Sequence, residues 1–432
     1  MQIILLSGGS GKRLWPLSNE IRAKQFIKIF AVDSGRESMV QRVLRQIRKT
    51  TSAPVTISTS RTQKKILRKY VGANVDISVE PCRRNTLPAI ALTAAYLRDV
   101  RGISLEEPLV ICPVDPFVED NYFAAFAEMA ALAETSNLVL MGIAPTYPSE
   151  KYGYILPTTK ENISGVLEFK EKPDAVTAQK YIDAGGLWNG GVFACKLSYA
   201  LAKAHELLKT DSYAELLENY SVLPDISFDY AVVEHEKNIK VVRYSGAWKD
   251  LGTWNTFTEV MDAAGIGDVQ FDGTCENSHV VNETDMPVIA MGLKNIVVAV
   301  SPDGILVADK VQSSYIKPLA ENLNRQIRYA EKSWGEYKVI DVGAESLTIK
   351  VTLNAGSKMR YHSHSFRREV WTIIFGSGRV VLDGKTKNVA VGDVVEIPVG
   401  VKHTLIAETN LQAIEVQLGE DIRIEDKILW EA

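Results

Sequence analysis

From residue 1 to about 260, short apolar or β-branched runs alternate with stretches whose apolar residues recur every three or four positions. Residues 2–6, 55–58 and 108–112 read as strands, and residues 37–49 and 87–99 as helices. This alternation predicts β-α-β crossovers, and so an α/β fold on a doubly wound, mostly parallel sheet of Rossmann-like kind. Ligands in that architecture sit beyond the carboxyl ends of the strands. A glycine-rich turn behind residues 2–6 and Asp115 behind residues 108–112 both fall at that edge. Residues 265–318 change to short strands, such as 297–300 and 305–309, separated by turn residues, which predicts a small all-β connector. Charged and amide-rich residues 321–332 predict a helix or linker, and the strands and Gly/Pro turns beyond them predict a β-barrel. The expected domains are residues 1–262, 263–332 and 333–432.

Composition narrows the function classes. At 432 residues the chain can fill two or three domains. A formal charge of −4 and a pI near 6.0 give no global basic field, so nucleic acid is not an expected partner. Cys82, Cys112, Cys195 and Cys275 are scattered without paired spacing and read as buried thiols in a reducing compartment. The chain opens on a strand without a basic and apolar leader, and no apolar run approaches membrane-spanning length. The expectation is a cytoplasmic protein without membrane contact. Its oligomeric state stays open, with a homodimer among the options.

The candidate chemistry begins at Leu6-Ser-Gly-Gly-Ser-Gly-Lys-Arg-Leu-Trp-Pro16. Gly8, Gly9 and Gly11 let the backbone take positive φ and bring N–H groups to an anion, while Lys12 and Arg13 supply charge. The spacing fits neither a P-loop nor the dinucleotide fingerprint. Glycines alone would equally suit a surface turn. Asp115 and Asp250 are hard oxygen donors of the kind magnesium takes, although an aspartate behind a strand is often only a turn former.

A second pattern lies near the other end. Gly356, five residues, His362-Ser-His364, four residues, Glu369, six residues, Gly376 matches the first cupin box; Gly392, five residues, Pro398-Val-Gly400, two residues, His403 matches the second. These boxes hold three of the chain's six histidines. Residues at i and i+2 on a strand point to one face, where Glu369 and His403 can join them to hold zinc or another divalent first-row metal.

Gly8-Gly-Ser-Gly-Lys-Arg-Leu-Trp-Pro-Leu-Ser18 with Lys24-Gln-Phe26 resembles the signature of the sugar-1-phosphate nucleotidyltransferases. The likeness is closest to the long bacterial mannose-1-phosphate guanylyltransferases that carry a C-terminal phosphomannose-isomerase domain. Segments at residues 80–89, 142–155, 169–173, 188–193, 227–231 and 248–254 are each similar to a family motif, in family order.

The resemblance implies transfer of a nucleotidyl group to a hexose 1-phosphate, with GTP and mannose 1-phosphate as the expected substrates and magnesium as the cofactor. It implies that Leu6, Gly8, Gly9, Gly11, Lys12, Arg13, Lys24 and Asn85 bind the nucleotide, with Arg13, Lys24, Asp115 and Asp250 catalytic and the two aspartates on the metal. Gly153, Glu171, Lys172 and Asn189 would take the sugar phosphate. Departures include Lys12 for threonine, Pro116 for histidine, Gly190 for serine, His362 for glutamine, Phe366 for a third histidine and a shortened tail around Arg423. Arg423, Arg367 and Lys402 are phosphate candidates in the barrel, whose isomerase activity is expected to be weak or absent. The alternatives are a bifunctional enzyme, a cytidylyl- or guanylyltransferase for another sugar phosphate, and a non-catalytic nucleotide-sugar sensor.

Overall fold

The structure is a computed structural model; it describes residues 1–9, 12–19, 21–33, 35–323, 327–423 and 426–430, with Lys12 described through its backbone. Two compact units emerge: Met1–Leu14 with Ala23–Asp262, and Trp15–Arg22 with Ala263–Ala432.

In the first unit, nine strands form one sheet. In chain order they are β1 (Gln2–Ser7), β2 (Val55–Ser60), β3 (Asp76–Glu80), β4 (Pro108–Pro113), β5 (Leu138–Ile143), β6 (Tyr154–Pro157), β7 (Ile163–Lys170), β8 (Leu187–Lys196) and β9 (Ile239–Tyr244). Their spatial order is β3-β2-β1-β4-β8-β5-β9-β7-β6. Only β7 and β8 run against the common direction. The continuous apolar run in β1 has a simple cause: Ile3 and Leu5 pack into one core layer while Ile4 enters the layer on the opposite face.

Helix α1 (Met39–Thr50) starts at Ser38, whose hydroxyl and the Gln41 side chain form a reciprocal capping box. Val40, Val43, Leu44 and Ile47 are its buried stripe, and Arg48 and Lys49 close its last turn. The helix expected from residue 37 therefore begins later, because residues Gly35–Ser38 pair with Lys28–Val32 as a hairpin. Helix α2 (Lys64–Val71) was not foreseen, and α3 (Thr86–Asp99) was.

The second unit contains parallel-paired short strands at Gly265–Ile266, His279–Asn282 and Ile296–Ser301, with Gly304–Asp309 antiparallel to the last. The expected helix or linker at residues 321–332 is corrected: a short helix, Lys317–Glu321, precedes it, and Tyr329–Lys332 is a strand paired with Gly335–Val342. A six-stranded and a five-stranded sheet follow, around a core that includes Leu353, Trp371, Ile373, Val380 and Leu405. Trp15–Arg22 joins this unit through Arg22, whose guanidinium donates to both Glu283 oxygens at 2.5 and 2.9 Å. Among the described residues no helix is long and apolar enough to cross a membrane. The cysteines are free, with Cys112 and Cys195 buried and Cys82 and Cys275 only partly so.

Candidate active site

The glycine turn leaves the carboxyl end of β1, and its carbonyls are tied down from behind. Gln25 Nε2 donates to Ser7 O at 3.2 Å, Thr59 Oγ1 to the same oxygen at 3.1 Å, and Gln63 Nε2 to Gly9 O at 3.2 Å. Neither Gly8 nor Gly9 has a positive φ, which corrects the reason for glycine here. At Gly8 the reason is space, because a Cβ would come 3.2 Å from Glu80 Oε1; at Gly9 nothing lies within 4 Å. Gly11 lies outside the described residues, as does the Lys12 side chain, and Arg13 is exposed. Leu6, half-buried at the end of β1, accepts the Val114 N–H at 3.2 Å, which brings the strand ends of β1 and β4 together. Asn85 caps α3 by accepting the Thr86 N–H at 3.0 Å and holds a φ of 58°.

A second pairing draws the two aspartates together. Residues Pro116–Val118 run antiparallel to Trp248–Asp250, with Pro116 opposite Asp250, so Asp115 and Asp250 meet beside the end of β4. Lys24 Nζ lies 2.5 Å from Asp115 Oδ2 and 3.9 Å from Asp250 Oδ1. Burial disfavours the charge on Lys24, yet the two carboxylates outweigh it and hold its pKa above the ordinary value. Desolvation in the cleft raises the Asp250 carboxyl; Lys24 opposes that and Asp115 adds to it. Two carboxylates facing one cation are a donor set suited to a hard divalent ion.

The candidate residues of the sugar reading flank neighbouring strands: Gly153 just before β6, Glu171 and Lys172 just after β7, and Asn189 on β8. Asn189 Nδ2 donates to Asp229 Oδ1 at 2.6 Å, and Lys172 Nζ lies 2.5 Å from Glu171 Oε1. A Cβ on Gly153 would fall 2.5 Å from Glu171 Oε2 and 2.9 Å from Phe169, so only glycine leaves that carboxylate in place. Lys172 has a φ of 44°, strained for a residue with a Cβ. Burial pushes Asp229 up to about 6, with the Glu171 charge contributing.

In the barrel, His362 sits opposite His403 across paired strands, and one ligand atom from each of His362, His364 and His403 lies within 4.8 Å of the others. Their Nδ1 atoms face the carbonyls of Arg360, Asp426 and Val401 at 2.7, 3.3 and 2.9 Å, an arrangement that in a neutral ring puts the N–H on Nδ1 and the lone pair on Nε2. His403 Nε2 is buried without a hydrogen-bond partner, as suits an atom whose partner is a metal. Glu369 lies 3.0 Å from His364 Nε2 and 3.4 Å from His403 Nε2. Burial drives His362 down to about 2, so this imidazole stays neutral. His362, His364 and Glu369 line a cavity of about 190 Å³ together with Arg367, Glu415 and Lys427. Arg367 is already paired with Glu369 and Asp426, Lys402 lies 3.7 Å over the Trp430 ring, and Arg423 pairs with Asp421. Phe366 is exposed.

The nucleotidyl transferase family matches residues 2–265, and the mannose-6-phosphate isomerase C-terminal family matches residues 320–431. The chain belongs to the nucleotidyl transferase family. It is 31% identical to the mannose-1-phosphate guanylyltransferase of Salmonella montevideo, over 98% of both chains. It is 32% identical to the xanthan biosynthesis protein XanB of Xanthomonas campestris, again over 98% of both. A Thermus thermophilus crystal structure described as a mannose-1-phosphate geranyltransferase superposes with a TM-score of 0.64 at 29% identity, covering 75% of this chain and 99% of that one. The chain is therefore a sugar-1-phosphate nucleotidyltransferase with a cupin domain of the isomerase type.

Three polar groups of this nucleotidyltransferase escaped the sequence. Glu80 is buried against Gly8, accepting from Tyr220 Oη at 2.9 Å, and burial raises its pKa. Gln63 and Asp229 likewise gain their roles from distant partners. The 227–231 motif was the available signal for Asp229, but spacing alone does not show which side chain turns inward.

Proposed function

We propose that the first unit joins mannose 1-phosphate to GTP, giving GDP-mannose and pyrophosphate. A phosphate oxygen of the sugar phosphate bonds to the α-phosphorus, the bond from that phosphorus to the α–β bridging oxygen breaks, and pyrophosphate takes the bridging oxygen with it. The names of the relatives support the choice of base and sugar. The observation that carries the chemistry is the meeting of Asp115, Asp250 and Lys24 at the strand edge where the glycine turn also begins.

In this reading Leu6, Gly8, Gly9, Gly11, Lys12 and Asn85 line the nucleotide, and Arg13 takes two phosphate oxygens at once as a guanidinium can. Asp115 and Asp250 would hold magnesium, and the chemistry that ion supplies is neutralisation of charge on the reacting phosphates. Lys24, paired with both carboxylates, would share that task. Gly153, Glu171, Lys172 and Asn189 orient the hexose 1-phosphate, Lys172 through its phosphate and Glu171 and Asn189 through hydroxyls. The reaction belongs in the cytoplasm, where nucleoside triphosphates and sugar phosphates are available. Asp115→Asn and Asp250→Asn test the reading: each lowers kcat by about a hundredfold or more with an unchanged melting temperature. Near-normal turnover in both contradicts it.

We propose further that residues 333–432 act as a cupin holding zinc or another first-row divalent ion through His362, His364, Glu369 and His403, with weak or absent isomerase activity. The small cavity favours this reading, since small-molecule sites usually offer about 300–1,000 Å³ and this one has about 190 Å³. A coupled assay from fructose 6-phosphate tests it. Robust turnover that disappears in His362→Ala/His364→Ala makes the chain bifunctional instead.

A further inference from the structure

Both ends of the Asn189 amide are engaged. Gly191 N–H donates to Oδ1 at 3.1 Å, and a backbone N–H only donates, so this bond fixes which end of the amide is oxygen. Nδ2 must then face Asp229, which accepts at 2.6 Å. Asp229 lies in a single helical turn, Phe228–Ala231, that is itself anchored: the Ser227 side chain accepts from the Tyr230 N–H, Thr86 Oγ1 accepts from the Phe228 N–H at 2.8 Å, and the Phe228 ring is buried. The next residue in that turn, Tyr230, places its ring 5.8 Å from Lys172 Nζ. One turn thus reaches both Asn189 and the strained Lys172.

We propose that Asp229 is a positioning residue for the hexose phosphate, locking the Asn189 amide so that its second N–H and second oxygen lone pair stay available to sugar hydroxyls. It acts through Asn189 and not as a catalytic residue. The inference rests on the sugar reading of this site given above.

Steady-state kinetics with both substrates varied tests it in the full-length enzyme. Asp229→Ala raises KM for mannose 1-phosphate about tenfold or more while KM for GTP stays within about twofold, because the amide loses its fixed acceptor. Asp229→Asn brings KM back to within about threefold of wild type, since its amide oxygen accepts the same hydrogen. The double variant Asn189→Ala/Asp229→Ala is no worse than Asn189→Ala alone, the sign of residues acting as one unit. Where Asp229→Ala fails to fold, Asp229→Ser carries the comparison, its hydroxyl being too short to reach the amide. Effects of Asp229 and Asn189 that multiply, or equal rises in both KM values, overturn the proposal. If Asn189→Ala raises the sugar KM and Asp229→Ala does not, this proposal alone fails. If Asn189→Ala, Glu171→Gln and Lys172→Ala all leave that KM unchanged, the sugar reading fails with it.

Discussion

Lys24 Nζ stands 2.5 Å from Asp115 Oδ2 and 3.9 Å from Asp250 Oδ1. The contact joins the glycine signature to the aspartates of the candidate metal site. The buried cation also bears on the protonation of Asp250: burial raises its pKa, and Lys24 pulls it back.

Replacing Lys24 by Met removes that counterweight. The Asp250 pKa then rises further, so the acidic limb of the kcat/KM profile, where Asp250 takes up a proton as pH falls, moves to higher pH, and kcat falls about a hundredfold or more. The pH–rate profile checks it. An unmoved acidic limb contradicts the charge coupling.

Gly153→Ala would set a Cβ 2.5 Å from Glu171 Oε2 and 2.9 Å from the Phe169 ring. The carboxylate has to move, and KM for the sugar phosphate rises about tenfold or more with KM for the nucleotide unchanged. Gly9→Ala meets open space, so it leaves the melting temperature unchanged. Differential scanning calorimetry and substrate-varied kinetics separate the two cases.

Much of this candidate site was legible because its residues sit at signature positions. Asp115 follows an apolar strand, and the Trp-Lys-Asp segment ending at Asp250 pairs with the residues just after it, so a strand edge and one short pairing suffice to unite them. Glu80, Gln63 and Asp229 were illegible for one shared reason: each is an ordinary polar residue until Tyr220, Gly9 or Asn189 arrives from far along the chain. The strand at Tyr329–Lys332 was misread because its residues are charged and amphipathic, and only pairing with Gly335–Val342 decides their conformation. In the barrel the box spacing was sufficient to bring the imidazoles together, since His362 and His364 share one face of a strand and His403 lies directly opposite His362.

Asp229 gives a stability signature. Burial, then the like charge of Glu171, raises it from 3.8 to about 6, against the opposing effects of the Asn189 hydrogen bond and the Lys172 charge. The unfolded chain releases this proton first, so ionisation weakens the fold as pH climbs from the unfolded value through the folded one. Asp229→Asn lacks the effect. Its melting temperature relative to wild type therefore increases by a few degrees between about pH 4 and about pH 7. A difference that stays flat across that window contradicts the assignment.

His362→Ala/His364→Ala removes two of the imidazoles that meet in the barrel. Metal content by atomic emission falls from about one ion per chain to less than about a tenth, while nucleotidyl transfer by the first unit keeps its kcat. Retention of the metal would place it elsewhere.

Pyrophosphate release by the wild-type chain, with each of the four nucleoside triphosphates against mannose 1-phosphate and glucose 1-phosphate, tests the central claim most directly. The account predicts that GTP with mannose 1-phosphate gives the highest kcat/KM, by about tenfold or more over every other pair, and that the same pair yields GDP-mannose. Equal or better kcat/KM with another base or sugar, or no release with any pair, contradicts it.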